Sequence, residues 1–448
     1  MRLNTMINRR SFLLSSSLIL LNIANANFFS KNVDFKSLKI GYLPISDHLL
    51  IIAKELYNSP FTPIKFSSWA DLSEALRAKA IDGAFILTPL ALRLRTQGVS
   101  LKAIFAAHRN GSALVLKKGI LETQNAKNLN VANLKNVANG KNKNAENVAN
   151  IAKSDSLNKN AKNNFKPDIS LLKGLRIAIP SRFSTHYLLL ANLLEQGGLT
   201  PNDIKIVDMS PPEMVFGLLS NSIDGFIVAE PFGFIAELRD IAELFRLSKD
   251  IVNNHICCVF ALREEVLADS QMDSKILADS GIQTIVNNFV KTAHFIEHNH
   301  EDSAILGNKL LGYKPEIIKN LLDCDERVVF KNLKLSKNDI DWNVKNMQDF
   351  GIWSNGADKI ADSQSDIFSD FVDSTLLDSA FKALDSTNLT QDSTQKLNLN
   401  RNPQESRFHT ESKAKFHSGI PESKAKSTPR FYAESNAKLT ESTTKNPL

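Results

Sequence analysis

From Leu38 onward, short apolar runs alternate with longer stretches in which apolar positions recur every three or four residues. A period near two marks strands and one near 3.6 marks helices, so the chain reads as a doubly wound α/β fold. Leu38 to Leu43 is the first strand, and it stops at Pro44, which lacks the N–H that a ladder needs. Ser46 or Asp47 can then cap a helix through Leu49, Ile52, Ala53 and Leu56. Ile64 to Phe66, Gly83 to Leu87, Lys102 to Phe105 and Ala113 to Leu116 follow as strands, the last completing a first lobe. Between them Leu72, Ala75 and Leu76 give the stretch 71–79 one apolar helical face.

The pattern breaks near Leu121, where Asn, Lys and Ala take over and Asn-Val-Ala-Asn recurs at 130–133, 136–139 and 147–150. Too few apolar side chains are present to offset the entropy of ordering, so 119–170 is expected to be a low-complexity insertion. The alternation resumes at Leu175 to Ile179, and here the sequence repeats itself. Ile81-Asp82-Gly83-Ala84-Phe85-Ile86-Leu87-Thr88-Pro89 is echoed by Ile223-Asp224-Gly225-Phe226-Ile227-Val228-Ala229-Glu230-Pro231. Each copy is a helix end, an Asp-Gly turn, an apolar strand and a polar-Pro stop, which predicts two lobes of similar build. Lobe one is expected over 34–118 together with 260–350, and lobe two over 171–255. Ile282, Val286, Phe289, Val290, Ala293 and Ile296 then recur at helical spacing as a buried face. From Ser386 to 448 the composition turns to Ser, Thr, Lys, Asn and Glu, with Glu-Ser-Lys-Ala-Lys at 411–415 and again at 422–426, and a disordered tail is expected.

Composition changes this picture little. The net charge of +6 comes largely from the two low-complexity segments and the N-terminus, and no basic stripe with interleaved aromatics points to nucleic acid. Asn8-Arg9-Arg10-Ser11-Phe12 followed by an apolar run to Ile23 and by Ala24-Asn25-Ala26 reads as a twin-arginine leader over 1–26, hence export to the periplasm. The three cysteines, Cys257, Cys258 and Cys324, build neither a disulfide framework nor a zinc spacing. Neighbours on a strand point to opposite faces, so Cys257 and Cys258 are not expected to share a metal, whereas a bridge from either to Cys324 stays open.

In open α/β sheets ligands bind beyond the carboxyl ends of the strands, near helix N-termini. That address selects Ser46, Asp47, His48, Trp69, Thr88, Ser184, Thr185, His186 and Glu230, on two facing lobes. There is no phosphate loop, no His-Glu-x-x-His, no nucleophile elbow and no carboxylate pair at telling spacing, so a binding protein without catalytic residue, metal or cofactor is expected rather than an enzyme.

Gly41-Tyr42-Leu43-Pro44-Ile45-Ser46-Asp47, Ser68-Trp69-Ala70, Leu87-Thr88-Pro89, His108-Arg109-Asn110-Gly111, Ser184-Thr185-His186 and Ala229-Glu230-Pro231-Phe232 resemble, in order and spacing, the nitrate/taurine-type substrate-binding proteins of ABC transporters. The nitrate- and bicarbonate-binding branch is the most similar. The resemblance implies a type II periplasmic-binding-protein fold with a ligand cleft. It also implies a monomer that delivers a small solute, of anionic type such as nitrate, bicarbonate or a sulfonate, to an inner-membrane permease. By similarity Trp69 and His186 contact the bound anion. Ser112 stands where the nitrate binders carry Gln, and Cys258 where they carry Lys, so both join the site residues while the cation that a nitrate needs is missing. The alternative that the resemblance offers is binding, or pyridoxal-phosphate-dependent synthesis, of a thiamine-type pyrimidine precursor on the same fold.

Overall fold

The computed structural model describes residues 37–122, 167–271, 281–353 and 366–386. The leader over 1–26, residues 123–166 of the expected insertion and the tail beyond Ser386 lie outside the described residues. In chain order the strands are β1 (Leu38–Tyr42), β2 (Phe61–Lys65), β3 (Gly83–Leu87), β4 (Leu101–Ala106), β5 (Arg109–Asn110), β6 (Ser112–Lys117), β7 (Arg176–Ile179), β8 (Lys205–Asp208), β9 (Gly225–Ala229), β10 (Ala242–Leu247), β11 (Cys258–Arg263) and β12 (Val328–Val329).

Two five-stranded sheets form, in the orders β2-β1-β3-β11-β4 and β8-β7-β9-β6-β10. In each, three parallel strands are followed by one that runs antiparallel to the third. That antiparallel strand lies next to a crossing between the sheets: β6 has just entered the second, and β11 has just returned to the first. The two lobes therefore share one architecture, as the repeated Asp-Gly units imply. Asp82 Oδ2 accepts from the Lys39 N–H and Asp224 Oδ2 from the Arg176 N–H, both at 2.8 Å, and the two carboxylates pair with Arg263 and Arg176 respectively. The glycines that follow face the antiparallel strand at close range. A Cβ on Gly83 would lie 2.8 Å from the Ala261 carbonyl oxygen, and one on Gly225 would lie 2.7 Å from that of Val115.

The strand at 113–116 was expected to complete lobe one and instead sits inside the second sheet, paired with β9 and β10. Five consecutive buried residues suit the interior of either sheet, so its local pattern carries no address. Lobe one is also longer than 350. Helices Ile367–Phe371 and Thr375–Ser386 pack on β4 and on the long helix Gly281–His298. Asp370 ties them down by accepting from Arg95 Nε and Nη2, each at 2.7 Å. Ser46 and Asp47, expected as caps, begin a 3-10 turn (Ser46–Ile52) without capping it. Their side chains lie instead at the crevice where the lobes meet, Ser46 Oγ donating to the Glu230 carbonyl oxygen at 2.9 Å and Asp47 Oδ2 lying 3.0 Å from His108 Nε2.

Beneath that crevice lies an aromatic cluster. Phe289 meets Phe61, Phe85, Phe105 and Phe260 at ring separations of 5.1 to 5.9 Å. Phe85 in turn stacks on His48 at 5.5 Å, and His48 meets the Trp69 ring edge-on at 5.3 Å. The core of lobe one thus fixes the floor of the site. Replacing Phe289, fully buried, with Ala should cost about 3–5 kcal/mol, the usual weight of a core aromatic. Urea unfolding followed by circular dichroism measures it, and an unchanged midpoint would contradict this packing.

Candidate functional site

The lobes meet at two crossings, residues 107–111 and 248–257, which bridge at Arg109 and Ile256. One carbonyl there takes three donors. The Cys257 oxygen accepts from Thr88 N at 3.0 Å, Thr88 Oγ1 at 3.1 Å and Thr185 Oγ1 at 3.0 Å. Thr88 opens the helix Thr88–Thr96 of lobe one, and Thr185 opens the helix Thr185–Gln196 of lobe two, whose N-cap is Ser184. The first turns of two facing helices are thereby pinned to the same peptide.

Around that peptide polar side chains are buried in unusual number. Asp47, His48, His108, His186, Cys257 and Cys258 are wholly buried, and His255 nearly so. Several polar atoms among them find no aligned hydrogen-bond partner in the chain: Asp47 Oδ2, His48 Nε2, Trp69 Nε1, both nitrogens of His108 and His255, and His186 Nδ1. Leaving such a group unpaired costs about 1–3 kcal/mol. His48 Nδ1 accepts from the Leu43 N–H at 2.9 Å, so the neutral ring carries its proton on Nε2. Ser112 Oγ lies 3.1 Å and Cys257 Sγ 3.8 Å from His186 Nε2. Asp47 Oδ2 and His108 Nε2 are 3.0 Å apart, close enough to attract but not aligned as a hydrogen bond. Gly111, at φ +91°, makes this approach possible, because a Cβ there would lie 2.6 Å from Asp47 Oδ1 and 2.8 Å from the His108 ring.

The titrations follow from this crowding. Burial pushes the Asp47 carboxyl up to about 7 even though His108 pulls it down. For His108 burial works the other way, but the Asp47 charge beside it prevails and holds it up at about 10. His48 and His255 are driven down by burial to about 3 and about 4, and stay neutral. Burial alone would raise the Cys257 thiol, yet its hydrogen bond with Cys258 and the field of His186 hold it well below the ordinary thiol value, while burial and Cys257 push Cys258 well above. Together the two sulfurs give up one proton readily and the second with difficulty.

Eight of the expected residues gather at the crevice: Ser46, Asp47, Trp69, Thr88, Ser112, Thr185, His186 and Cys258. Thr88 and Thr185 hold the crossing, and Ser46 fastens the lobes through its N–H and Oγ on the Glu230 carbonyl, at 2.8 and 2.9 Å. The Glu230 carboxylate, expected as a ligand contact, is engaged within the chain. Its Oε1 accepts from Arg327 Nε at 2.7 Å and its Oε2 from the Phe234 N–H at 2.9 Å, so it is a latch between lobes. His48, expected at the end of the first strand, is there too, whereas sequence reasoning left out His108, His255 and Cys257 as site residues. With His48 and His186, the two crossing histidines make four of the nine in the chain, and those two come to the site only through the tertiary fold. The expectation for the cysteines also changes. All three are free thiols, and the Sγ atoms of Cys257 and Cys258 lie with ligand atoms of Asp47 and His108 in a group no more than 4.8 Å across. Strand alternation does not separate them, because Cys257 precedes β11 and only Cys258 belongs to it.

A fold of two such lobes, joined by two crossings around buried polar groups, is that of the periplasmic binding proteins, and comparison with known proteins agrees. The NMT1-like family matches residues 32–284, more than half of the 448, and the chain belongs to that family. This agrees with the nitrate/taurine-type resemblance. The chain is 28% identical over 257 residues to the nitrate/nitrite binding protein NrtA of Nostoc sp. strain PCC 7120, covering 54% of this chain and 51% of that protein. It spans about half or less of the length of the curated relatives that it matches. Among solved structures, the periplasmic nitrate-binding protein NrtA of Synechocystis PCC 6803 superposes with a TM-score of 0.60 at 16% identity, covering 80% of this chain and 91% of that one. A ligand-binding component of an ABC-type import system from Staphylococcus aureus, with zinc bound, gives 0.57 at 23% identity, covering 77% and 98%.

Arg327 is the cation of the latch, reaching Glu230 and also Glu237 Oε1 at 2.6 Å. Arg327→Ala strands the buried Glu230 charge and should cost about 3–5 kcal/mol in urea unfolding. Lys309→Ala, which removes only an exposed pair with Glu55, should leave the midpoint nearly in place. Equal midpoints for the two variants would contradict the latch.

Proposed function

We propose that this chain is the solute-binding component of an ABC-type importer, exported to the periplasm by the twin-arginine leader and acting as a monomer that closes its two lobes over a small solute. One observation carries the reading: buried donors and acceptors of both lobes, unsatisfied within the chain, converge on one crevice at the carboxyl ends of the sheets. A solute that satisfies them favours the closed arrangement by its differential affinity, and a permease that contacts both lobes can read that closure. Ser46, Asp47, Trp69, Ser112, His186 and Cys258 face the solute in this reading, with Thr88 and Thr185 as positioning residues and Glu230 as latch. Neighbours named for nitrate and for bound zinc share the fold, so the solute class has to come from this crevice's own residues.

A thermal-shift screen of the purified chain tests the reading. The panel holds nitrate, nitrite, bicarbonate, taurine, alkanesulfonates, hydroxymethyl-pyrimidine and divalent metal ions at millimolar concentration. A solute that binds only the folded state raises Tm by linkage. One member should raise it, and His186→Gln should weaken that member's binding at least about tenfold, the weight of one good buried hydrogen bond. No rise with any member, or a rise that His186→Gln leaves unchanged, contradicts the site.

A further inference from the structure

We infer that the solute of this crevice is a divalent transition-metal cation of the zinc class, held by Asp47, His108, Cys257 and Cys258. The inference rests on the solute-binding reading and names its substrate class. Four residues each offer one ligand atom within a 4.8 Å group, and all four are buried. A tetrahedral site with sulfur at about 2.3 Å and nitrogen or oxygen at about 2.0 Å sets its ligand atoms roughly 3.3 to 3.8 Å apart. Small side-chain rotations close the difference. Two sulfurs, one imidazole and one carboxylate suit a borderline-soft ion and not calcium or magnesium, which take oxygen ligands.

The charges around the site favour a cation over an anion. The buried guanidinium groups of Arg109, Arg246 and Arg327 are each engaged, Arg246 on the Pro167 carbonyl oxygen at 2.9 Å. Arg109 donates to both Asp339 oxygens at 2.9 and 3.0 Å, and Arg327 serves Glu230 and Glu237. An anion entering here would meet the Asp47 carboxylate, and the cation beside it, His108, is already engaged with that carboxylate at 3.0 Å. A divalent ion instead takes the place of the protons that its ligands carry, and those protons leave to solvent. The surroundings are built for fixed ligands. The Cys257 carbonyl is held by three donors, the Cys258 carbonyl accepts from the Ala107 N–H at 2.9 Å, and Gly111 leaves room for Asp47 beside His108. His186, against Cys257 Sγ, is the outer partner that orients the sulfur.

Cobalt(II) is the probe that tests this. The full chain, reduced with a non-thiol reductant and stripped by a chelator, is titrated with Co²⁺ and followed by absorption. One equivalent per chain should give the intense visible bands of tetrahedral cobalt together with thiolate-to-cobalt charge transfer, and Zn²⁺ should displace it. Surface histidines produce no charge-transfer band, so binding at His294, His298 or His300 is told apart. Cys257→Ser and Cys258→Ser should each weaken the site by more than about 100-fold, beyond the effect of losing an outer partner, while Cys324→Ser changes nothing. Absence of charge transfer in the unmodified chain overturns the inference whatever the variants do, as does its persistence in the double serine variant. An anion that raises Tm of the same sample without cobalt uptake overturns the metal and leaves the importer reading standing. Silence to both overturns both.

Discussion

Three hydrogen bonds on the carbonyl of Cys257 hold the site together. Two come from Thr88 in lobe one and one from Thr185 in lobe two, so the second crossing cannot move without disturbing the first turns of both helices. The first crossing runs beside it and carries His108, Arg109 and Gly111. Everything that a solute could touch is positioned relative to these two segments: Asp47 by the close approach that Gly111 allows, His186 by its place in the first turn after Thr185, and the two sulfurs by the peptide itself. The lobes contribute the walls, and the crossings contribute the geometry.

The repeated architecture explains how one sequence makes both walls. Each sheet carries an Asp-Gly unit whose carboxylate ties a parallel neighbour and whose glycine admits the antiparallel strand at backbone range. The strands that follow end at Thr88 and at Glu230, equivalent places given different work, one on the crossing and the other on the Arg327 latch. Beneath the site the Phe61, Phe85, Phe105, Phe260 and Phe289 cluster and the His48 stack make a stiff floor. Packing energy is stored there so that unsatisfied polar groups above it can be tolerated.

Much of this was legible in the sequence, for identifiable reasons. Short apolar runs located the inner strands, which are buried on both faces, the 3.6-residue period located the helices, and the Ile81 to Pro89 echo at Ile223 to Pro231 announced the duplication. The rule that ligands sit beyond strand carboxyl ends picked out Ser46, Asp47, Trp69 and His186, all of them buried near the crossings. It failed where position depends on the other lobe. Strand Ser112–Lys117 is apolar enough for either sheet. Glu230 looks like a ligand group until Arg327, almost a hundred residues away, is seen beside it. The crossings have no periodicity, so His108, His255 and Cys257 gave no local signal, and the pairing of Cys257 with Cys258 depends on a strand that begins between them.

X-ray absorption at the zinc edge of the zinc-loaded chain tests the central claim most directly, because it reads the atoms around the cargo without regard to fold or variant. The account predicts a mixed shell of two sulfurs at about 2.3 Å and two nitrogen or oxygen neighbours at about 2.0 Å, since only Cys257 and Cys258 offer two thiols at one point. A shell of nitrogen and oxygen alone would contradict it and move the metal away from the crossings.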